Sequence, residues 1–149
     1  MTASKAIKNI FKQGAIEPSF IADSIAKHQH KHGIGAHDIF MGQVRADVIN
    51  DKKVVAIDYT AHEEMANEIM HEIRENCFEK FELNCMHVYH SIGRVETGEL
   101  CLFVFASSPR RKEVFRAVEF LVEEIKQKLP IFGKEILEDQ SHVWKKNTK

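Results

Sequence analysis

Apolar residues recur every three or four positions in three stretches of this chain, which is the spacing of a helix with one buried face. Pro18 suits the first turn of the first stretch, and Gly33 suits the position just after its last turn. Pro130 ends the third stretch because proline lacks the amide hydrogen that a further helical turn would need. The pattern therefore predicts helices over residues 17–32, 63–81 and 110–129.

Alternating or continuous apolar residues between these helices predict β-strands over residues 37–45, 53–61, 84–92, 99–107 and 131–137. A turn at residues 50–52 separates the first two strands, so we expect them to pair with each other as a hairpin. Gly42 is expected to mark a β-bulge or a close approach of two backbones. A second turn is expected from Gly93 to Gly98, and the strongly apolar strand after it is expected to be central. The element order α-β-β-α-β-β-α-β predicts an α+β fold with helices packed on a mostly antiparallel sheet.

Size and charge narrow the class of protein. The 149 residues suffice for a single domain, 1–149, with a hydrophobic core, in which residues 1–16 and 140–149 are expected to be peripheral or flexible. A net charge of −1 provides no overall field for nucleic acid, and no apolar run approaches the roughly 20 residues that span a bilayer. The three widely spaced cysteines suit buried positions in a reducing compartment. We therefore expect a cytoplasmic protein without nucleic-acid or membrane partners.

Three histidines, His28, His30 and His32, are the strongest candidates for a metal site in the sequence. His28 and His32 would share one helix face, but no carboxylate or cysteine at ligand spacing accompanies them. An exposed polar face at the end of a helix is the preferred interpretation, so no metal is predicted. The usual phosphate-loop, dinucleotide and serine-hydrolase motifs are also missing from the sequence, and no cofactor is expected.

Fixed positive charge is the remaining chemical signal. Arg45 ends a predicted strand, while Arg110 and Arg111 open the third helix, where unsatisfied backbone amides also attract anions. Lys126 lies near the other end of that helix, and Lys134 lies on the strand after it. Arginine pairs suit phosphate because a guanidinium offers planar, bidentate donors. Each cation alone is typical of a solvated surface, but together they could hold an anionic ligand.

Several motifs occur in an order and spacing that resemble one protein family, the large, catalytic subunit of molybdopterin synthase. They are FMGQVR at 40–45, VVAIDY…MA at 54–66, HSIGRVETGE at 90–99, SSPRRKEVFRA at 107–117, IKQKLPIFGKE at 125–135 and EDQSHVW at 138–144. Together they cover roughly residues 35–145. The resemblance implies an α/β-hammerhead fold, which is compatible with the predicted element order.

The resemblance also implies a reaction and its partners. Enzymes of this family convert cyclic pyranopterin monophosphate into molybdopterin by inserting two sulfurs as a dithiolene. The sulfur comes from a small ubiquitin-like subunit, whose C-terminal Gly-Gly tail ends in a thiocarboxylate and threads into the large subunit. The typical assembly is a heterotetramer built around a homodimer of large subunits.

Site residues follow from the same resemblance. Lys126 would be the principal catalytic group, with its pKa lowered by burial and neighbouring cations, and Lys134 would assist it. Phe40 would line the pocket for the partner's tail. The residues expected to bind substrate are Gln43, Val44, Arg45, Arg110, Arg111, Lys126, Gly133, Lys134 and Glu135.

Two departures from the family pattern affect the expected function. The family usually has histidine where this chain has Arg110, and it has a substrate-handling lysine where this chain has Gly133. Either Lys134 takes over that role, or the chain is a weakened paralogue that serves as a binding module. A third hypothesis is that the chain is a free-standing domain that binds anions or nucleic acid, but its near-neutral net charge disfavours this function.

The length of the third helix adds a geometric expectation. Lys126 follows Arg111 by fifteen residues, which corresponds to roughly 22 Å along a continuous helix. One small pterin phosphate cannot contact both residues in one subunit. We therefore expect the arginines of one large subunit to complete the lysine site of its dimer mate.

Overall fold

The computed structural model of the chain describes residues 7–146, in which three helices pack on a mostly antiparallel sheet. The helices are α1 (Pro18–Ala26), α2 (Glu63–Lys80) and α3 (Arg111–Lys128). The strands are β1 (Phe11–Gln13), β2 (Ala36–Gln43), β3 (Val48–Ile49), β4 (Lys52–Ala61), β5 (Cys85–Glu96), β6 (Leu100–Ser108), β7 (Ile131–Leu137) and β8 (His142–Trp144). The predicted α+β class is confirmed.

The sheet runs in the order β2-β6-β5-β4-β7-β8, with β1 parallel to β5 and β3 paired with β4. β5 joins the two halves, because its first part pairs with β6 and its last part, from Gly93 to Glu96, pairs with β4. The turn predicted from Gly93 to Gly98 is therefore wrong in its extent. Gly93 adopts a φ of 87°, which bends the strand between its two partners without ending it.

The predicted hairpin between the strands at 37–45 and 53–61 is also wrong. β2 pairs with β6, while both edges of β4 are occupied by β5 and β7. The turn at Asn50 and Asp51, whose φ angles are 53° and 64°, instead joins the short β3 to β4. A tight turn fixes the pairing of only the few residues beside it. Gly42 does mark an irregularity as predicted, since the register of β2 on β6 shifts after it.

The core lies on both faces of β6, whose side chains alternate between two clusters. Leu102 and Val104 face the main core beneath α2 and α3. Phe103 and Phe105 face the opposite side, where they pack against Ile21 of α1. β6 is an interior strand, with β2 on one side and β5 on the other, and α3 packs against β6 and β2.

Residues 1–16 and 140–149 are expected to be peripheral or flexible, and their described parts contribute to the sheet at both ends of the chain. Ile10 and Ile16 are buried, and β1 extends the sheet beside β5. At the other end β8 pairs with β7, placing Trp144 opposite Lys134. The sequence pattern does not indicate β1 because its partner β5 lies far away in the chain, and it does not indicate β8 because that strand has only three residues. Residues 1–6 and 147–149 lie outside the described residues.

The first helix is shorter than predicted, because it ends at Ala26 and residues 27–30 form turns. His30 and His32 are exposed as expected, but His28 is buried against the sheet, which corrects its assignment to an exposed face. No helix within residues 7–146 is both long enough and apolar enough to cross a membrane.

Candidate functional site

The helix α3 is continuous from Arg111 to Lys128, as predicted, and carries cations at both ends. Its first turn follows Arg110, and its last turn contains Lys126. At 1.5 Å per residue these ends are separated by roughly 22 Å. The structure places them in two separate cavities, which we call the arginine pocket and the lysine pocket.

The lysine pocket has a volume of about 380 Å³ and lies where the end of α3 meets β7 and β8. Its polar and aromatic lining residues include Tyr59, His90, Lys126, Trp144 and Lys145, together with the backbone at Gly133. The last turn of α3 presents carbonyl groups to which lysine side chains are attracted. The pocket therefore holds two cations in a wall of mixed aromatic and aliphatic side chains.

Lys126 is exposed as a whole residue, yet protein atoms around its amine desolvate it and lower its pKa. The Cys101 thiol acts in the opposite direction, and the charge of Lys145 lowers the pKa further. This is the direction expected for a lysine prepared for proton transfer. It also shows that Lys145 lies close enough to act on Lys126 electrostatically.

Gly133 leaves room for Lys145 in the wall of this pocket. A Cβ atom on Gly133 would stand 3.0 Å from Cγ2 of Ile57, 3.2 Å from Cε1 of Tyr59 and 3.6 Å from Cβ of Lys145. The amide of Lys145 also donates a hydrogen bond of 2.8 Å to the carbonyl oxygen of Gly133. Lys145 is thus fixed beside the position where a side chain on residue 133 would begin.

His90 and Tyr59 provide neutral polar groups in the same wall, with ring centroids 5.0 Å apart. Burial lowers the pKa of His90 to about 4, and the nearby charge of Lys126 also lowers it. Nδ1 of His90 lies 2.8 Å from the carbonyl oxygen of Ser91, which can only accept, so Nδ1 carries the hydrogen and Nε2 is left as an acceptor. Burial raises the pKa of Tyr59, which therefore keeps its proton. Both groups are neutral at pH 7.

The arginine pocket, of about 750 Å³, lies at the start of α3. Arg110, Arg111 and Arg116 line it, with Lys112 and Glu113. No side chain caps the first turn of α3, so its backbone amides add to the attraction for an anion. Within residues 7–146, the guanidinium groups of Arg110 and Arg111 make no ion pair that would occupy them. This end of the helix is suited to a phosphate group.

The other predicted binding residues lie outside the two pockets. Arg45 is exposed and makes a 2.6 Å ion pair with Asp47, which raises the pKa of Arg45 through hydrogen bonding. Val44 is buried in the core, and both of its backbone groups are hydrogen-bonded, so its side chain is not available to a ligand. Gln43 is exposed at the end of β2. Their proposed role in binding stays a prediction.

Lys134 and Glu135 point to opposite faces of β7. Lys134 does not line the lysine pocket; its amine lies 5.8 Å from the ring centre of Trp144. Glu135 is buried on the face that Gly133 shares, where its charge acts on Tyr59. Phe40 is half-buried against the main core beneath α3. None of these placements tests the predicted roles directly.

Among the residues that line the lysine pocket, sequence reasoning missed Tyr59, His90, Trp144 and Lys145. His90 lies within one of the recognised motifs, and Tyr59 within another, so the motifs held a signal for both. Lys145 had no local signal, because it reaches the pocket only through the pairing of β8 with β7.

Comparison with known proteins agrees with this architecture. The fold is that of molybdopterin synthases: the structure aligns with the molybdopterin synthase from Staphylococcus aureus at a TM-score of 0.81 and 26% identity, covering 95% of this chain and 100% of that one. A subunit 1 and 2 complex of molybdopterin-converting factor from Helicobacter pylori gives a TM-score of 0.77 at 16% identity, over 90% of this chain and 87% of that one, and supports the fold alone.

The sequence comparison is more specific. The model of the MoaE protein family matches residues 15–128. The molybdopterin synthase catalytic subunit of Bacillus subtilis is 38% identical over 117 residues, covering 78% of this chain and 74% of that protein. Some relatives are much longer, since the chain spans 32% of the corresponding subunit from Drosophila erecta. The chain belongs to the MoaE family.

Proposed function

We propose that this chain is the catalytic subunit of a molybdopterin synthase and acts as a single domain over residues 1–149. It transfers sulfur from the thiocarboxylated C-terminus of a small ubiquitin-like subunit to cyclic pyranopterin monophosphate. The observation that carries this proposal is the lysine pocket, where Lys126, with a lowered pKa, and Lys145 lie beside the neutral His90 and Tyr59. Family membership supplies the reaction class, and the pocket supplies the groups that can perform it.

The charge of the reactants explains why two lysines are needed. The substrate phosphate and the incoming thiocarboxylate are both anions, so they repel each other as they approach. Fixed cations in a partly dehydrated pocket offset that repulsion and stabilise negative charge that develops during sulfur attack. Lys126 is the group that stabilises the anionic adduct or transfers a proton, because its pKa is already lowered. Lys145 holds a second positive charge beside it.

The arginine pocket completes the site in the homodimer. Arg110 and Arg111 lie roughly 22 Å from Lys126 along α3, so they do not reach the same small ligand within one chain. In a symmetric dimer, the arginines of one subunit can border the lysine pocket of the other. They would bind the substrate phosphate there while Lys126 and Lys145 act on the carbon that accepts sulfur.

The tail of the small subunit would enter along exposed apolar side chains. Phe132 is 45% exposed and Trp144 is 58% exposed, and both border the lysine pocket. The Helicobacter pylori structure is itself a complex of subunits 1 and 2 of molybdopterin-converting factor.

The free, buried state of Cys77, Cys85 and Cys101 suits a reducing compartment, and we place the assembly in the cytoplasm.

A reconstitution experiment tests this function. The purified full chain is mixed with the thiocarboxylated small subunit and cyclic pyranopterin monophosphate, and the formation of molybdopterin is measured. Product that depends on the thiocarboxylate, and that is lost in Lys126→Ala, is expected. A stable complex without turnover would favour a binding module, since Gly133 replaces a family lysine. Failure to bind either component would contradict both functions.

A further inference from the structure

A cluster of metal-binding side chains lies on the face of the sheet that α1 covers, away from both pockets. Cys85 and His87 alternate along β5 and therefore project from the same face. His28 reaches them from the turn that follows α1. One ligand atom from each of the three residues lies within 4.8 Å of the other two. His28 and Cys85 are buried, and His87 is half-buried.

The hydrogen bonding of His28 directs a lone pair into this cluster. Its Nδ1 atom lies 2.6 Å from the carbonyl oxygen of Ser24, which can only accept a hydrogen bond. Nδ1 therefore carries the hydrogen, and the Nε2 atom of neutral His28 is an acceptor. Histidines that bind metals commonly donate their other N–H to a carbonyl in this way, which fixes the ring.

The spacing of the ligand atoms is close to that of a zinc site. Nε2 of His28 lies 3.0 Å from Nε2 of His87. Two nitrogens bound to one tetrahedral zinc ion at 2.0–2.1 Å stand about 3.3 Å apart, so the two histidines need to separate by only a few tenths of an ångström. The Cys85 sulfur, which lies within 4.8 Å of both nitrogens, would move towards the ion. Without an ion, His87 must hold its hydrogen on Nε2 to bond with His28. Two histidines and one thiolate form a nitrogen and sulfur donor set that zinc prefers.

The surroundings have both favourable and unfavourable charge. Zinc binds the neutral ring of a histidine, and the half-buried His87 lies beside the other two ligands. The positive charges of Lys8, Arg74 and Lys31 act on His87 and would oppose an incoming cation. Loss of the Cys85 proton offsets part of this repulsion, because the thiolate brings a negative charge. The ring of His37 also lies near the cluster, with its centroid 6.4 Å from that of His28.

We propose that His28, Cys85 and His87 bind a zinc ion that fastens the end of α1 to β5. On binding, the thiol of Cys85 releases one proton to solvent, and His87 moves its hydrogen from Nε2 to Nδ1. His28 keeps its hydrogen bond to Ser24. A water molecule takes the fourth position. The site stands apart from both the lysine pocket and the arginine pocket.

Metal titration of the full chain tests the proposal. The protein is treated with a chelator under reducing conditions, and Zn²⁺ binding is measured by competition with a chromophoric chelator. Co²⁺ serves as a spectroscopic substitute, because a bound thiolate gives a charge-transfer band in the near ultraviolet. One ion per chain and a thiolate band are expected for the unmodified protein.

Matched variants assign the ligands. Cys85→Ala is expected to lose the thiolate band and to weaken Zn²⁺ binding by about 100-fold, whereas Cys77→Ala, which removes a buried thiol from α2, retains both. Zn²⁺ should raise the melting temperature of the unmodified chain and of Cys77→Ala only. A missing thiolate band in the unmodified chain would overturn the proposal, whether or not the variants fold. So would zinc binding that survives Cys85→Ala but is lost when the exposed His30 and His32 are replaced.

Discussion

The stem of Lys145 lies beside Gly133, with its Cβ atom 3.6 Å from the place where a Cβ atom on Gly133 would stand. The family resemblance puts a lysine at position 133, and this chain lacks it. The pairing of β8 with β7 brings a different lysine to the same wall of the pocket. A positive charge is thus present beside position 133, but it comes from the residue that follows β8.

Lys145→Ala should reduce molybdopterin formation more than Lys134→Ala does. Lys145 lines the pocket and acts on Lys126, whereas Lys134 lies near the ring of Trp144 and outside the pocket lining. We expect a loss of about tenfold in kcat for Lys145→Ala, which is the effect of about 1.4 kcal/mol of lost charge stabilisation. Single-turnover assays with saturating small subunit measure it.

The pH profile of the same variant separates an electrostatic role from a packing role. The charge of Lys145 lowers the pKa of Lys126, so removing it should raise that pKa. If protonated Lys126 stabilises the adduct, activity falls as the pH rises through its pKa. The alkaline limb of kcat should then move to higher pH in Lys145→Ala and stay in place in Lys134→Ala. An unmoved limb in both variants would assign Lys145 a packing role only.

Gly133→Ala should destabilise the fold and narrow the lysine pocket. The new methyl group would stand 3.0 Å from Cγ2 of Ile57 and 3.2 Å from Cε1 of Tyr59, which is closer than ordinary contact. Overpacking of this kind costs about 1–3 kcal/mol of unfolding free energy. Gly33→Ala is the matched control, because its nearest neighbour is 3.9 Å away. Urea unfolding checks both variants, and equal stability of the two would contradict the crowding at Gly133.

The sequence predicted the elements of this fold better than their pairing. Helical spacing located α2 and α3 almost to the residue, and the apolar run at residues 99–107 identified the central β6. The wrong hairpin came from treating the turn at Asn50 and Asp51 as evidence for strands that lie beyond it. Local sequence patterns indicate which residues are buried and where turns occur. Which strands pair with each other depends also on segments far away in the chain, which can occupy the edges of a strand first.

In the candidate site, too, residues on a regular helix could be predicted from the sequence, whereas residues that strand pairing brings together could not. Lys126 could be predicted because it lies on a strongly periodic helix whose end is fixed by Pro130. Lys145 could not, since its position depends on the pairing of β8, a strand of three residues. Similarly, helical spacing predicts that His28 lies beside His32, whereas in the structure His28 lies beside Cys85 and His87 of β5. Sites assembled from separate strands leave little periodic signal.

His90 should make the protein less stable in mild acid. Its pKa falls from an ordinary 6.5 to about 4 in the folded state, so the unfolded state binds more protons between these values. Stability therefore rises with pH across that window and is lost as the pH falls from 6.5 towards 4. The contribution is on the order of 3 kcal/mol. Urea unfolding is measured at pH 7 and pH 4.5 with chelator present. Between these pH values, His90→Gln should lose less unfolding free energy than the unmodified chain does. Equal losses would mean that His90 is not the responsible group.

Mixed dimers test whether the two ends of α3 serve different subunits. Arg111→Ala and Lys126→Ala are each expected to abolish most activity alone. In a heterodimer of the two, one shared site regains both residues, so an equal mixture that re-associates at random should recover about a quarter of the unmodified activity. Mixing Lys126→Ala with Lys145→Ala is the control, because both changes affect the same pocket and no intact site can form. Native mass spectrometry verifies the heterodimers, and verified heterodimers without recovered activity would place Arg111 outside the partner's site.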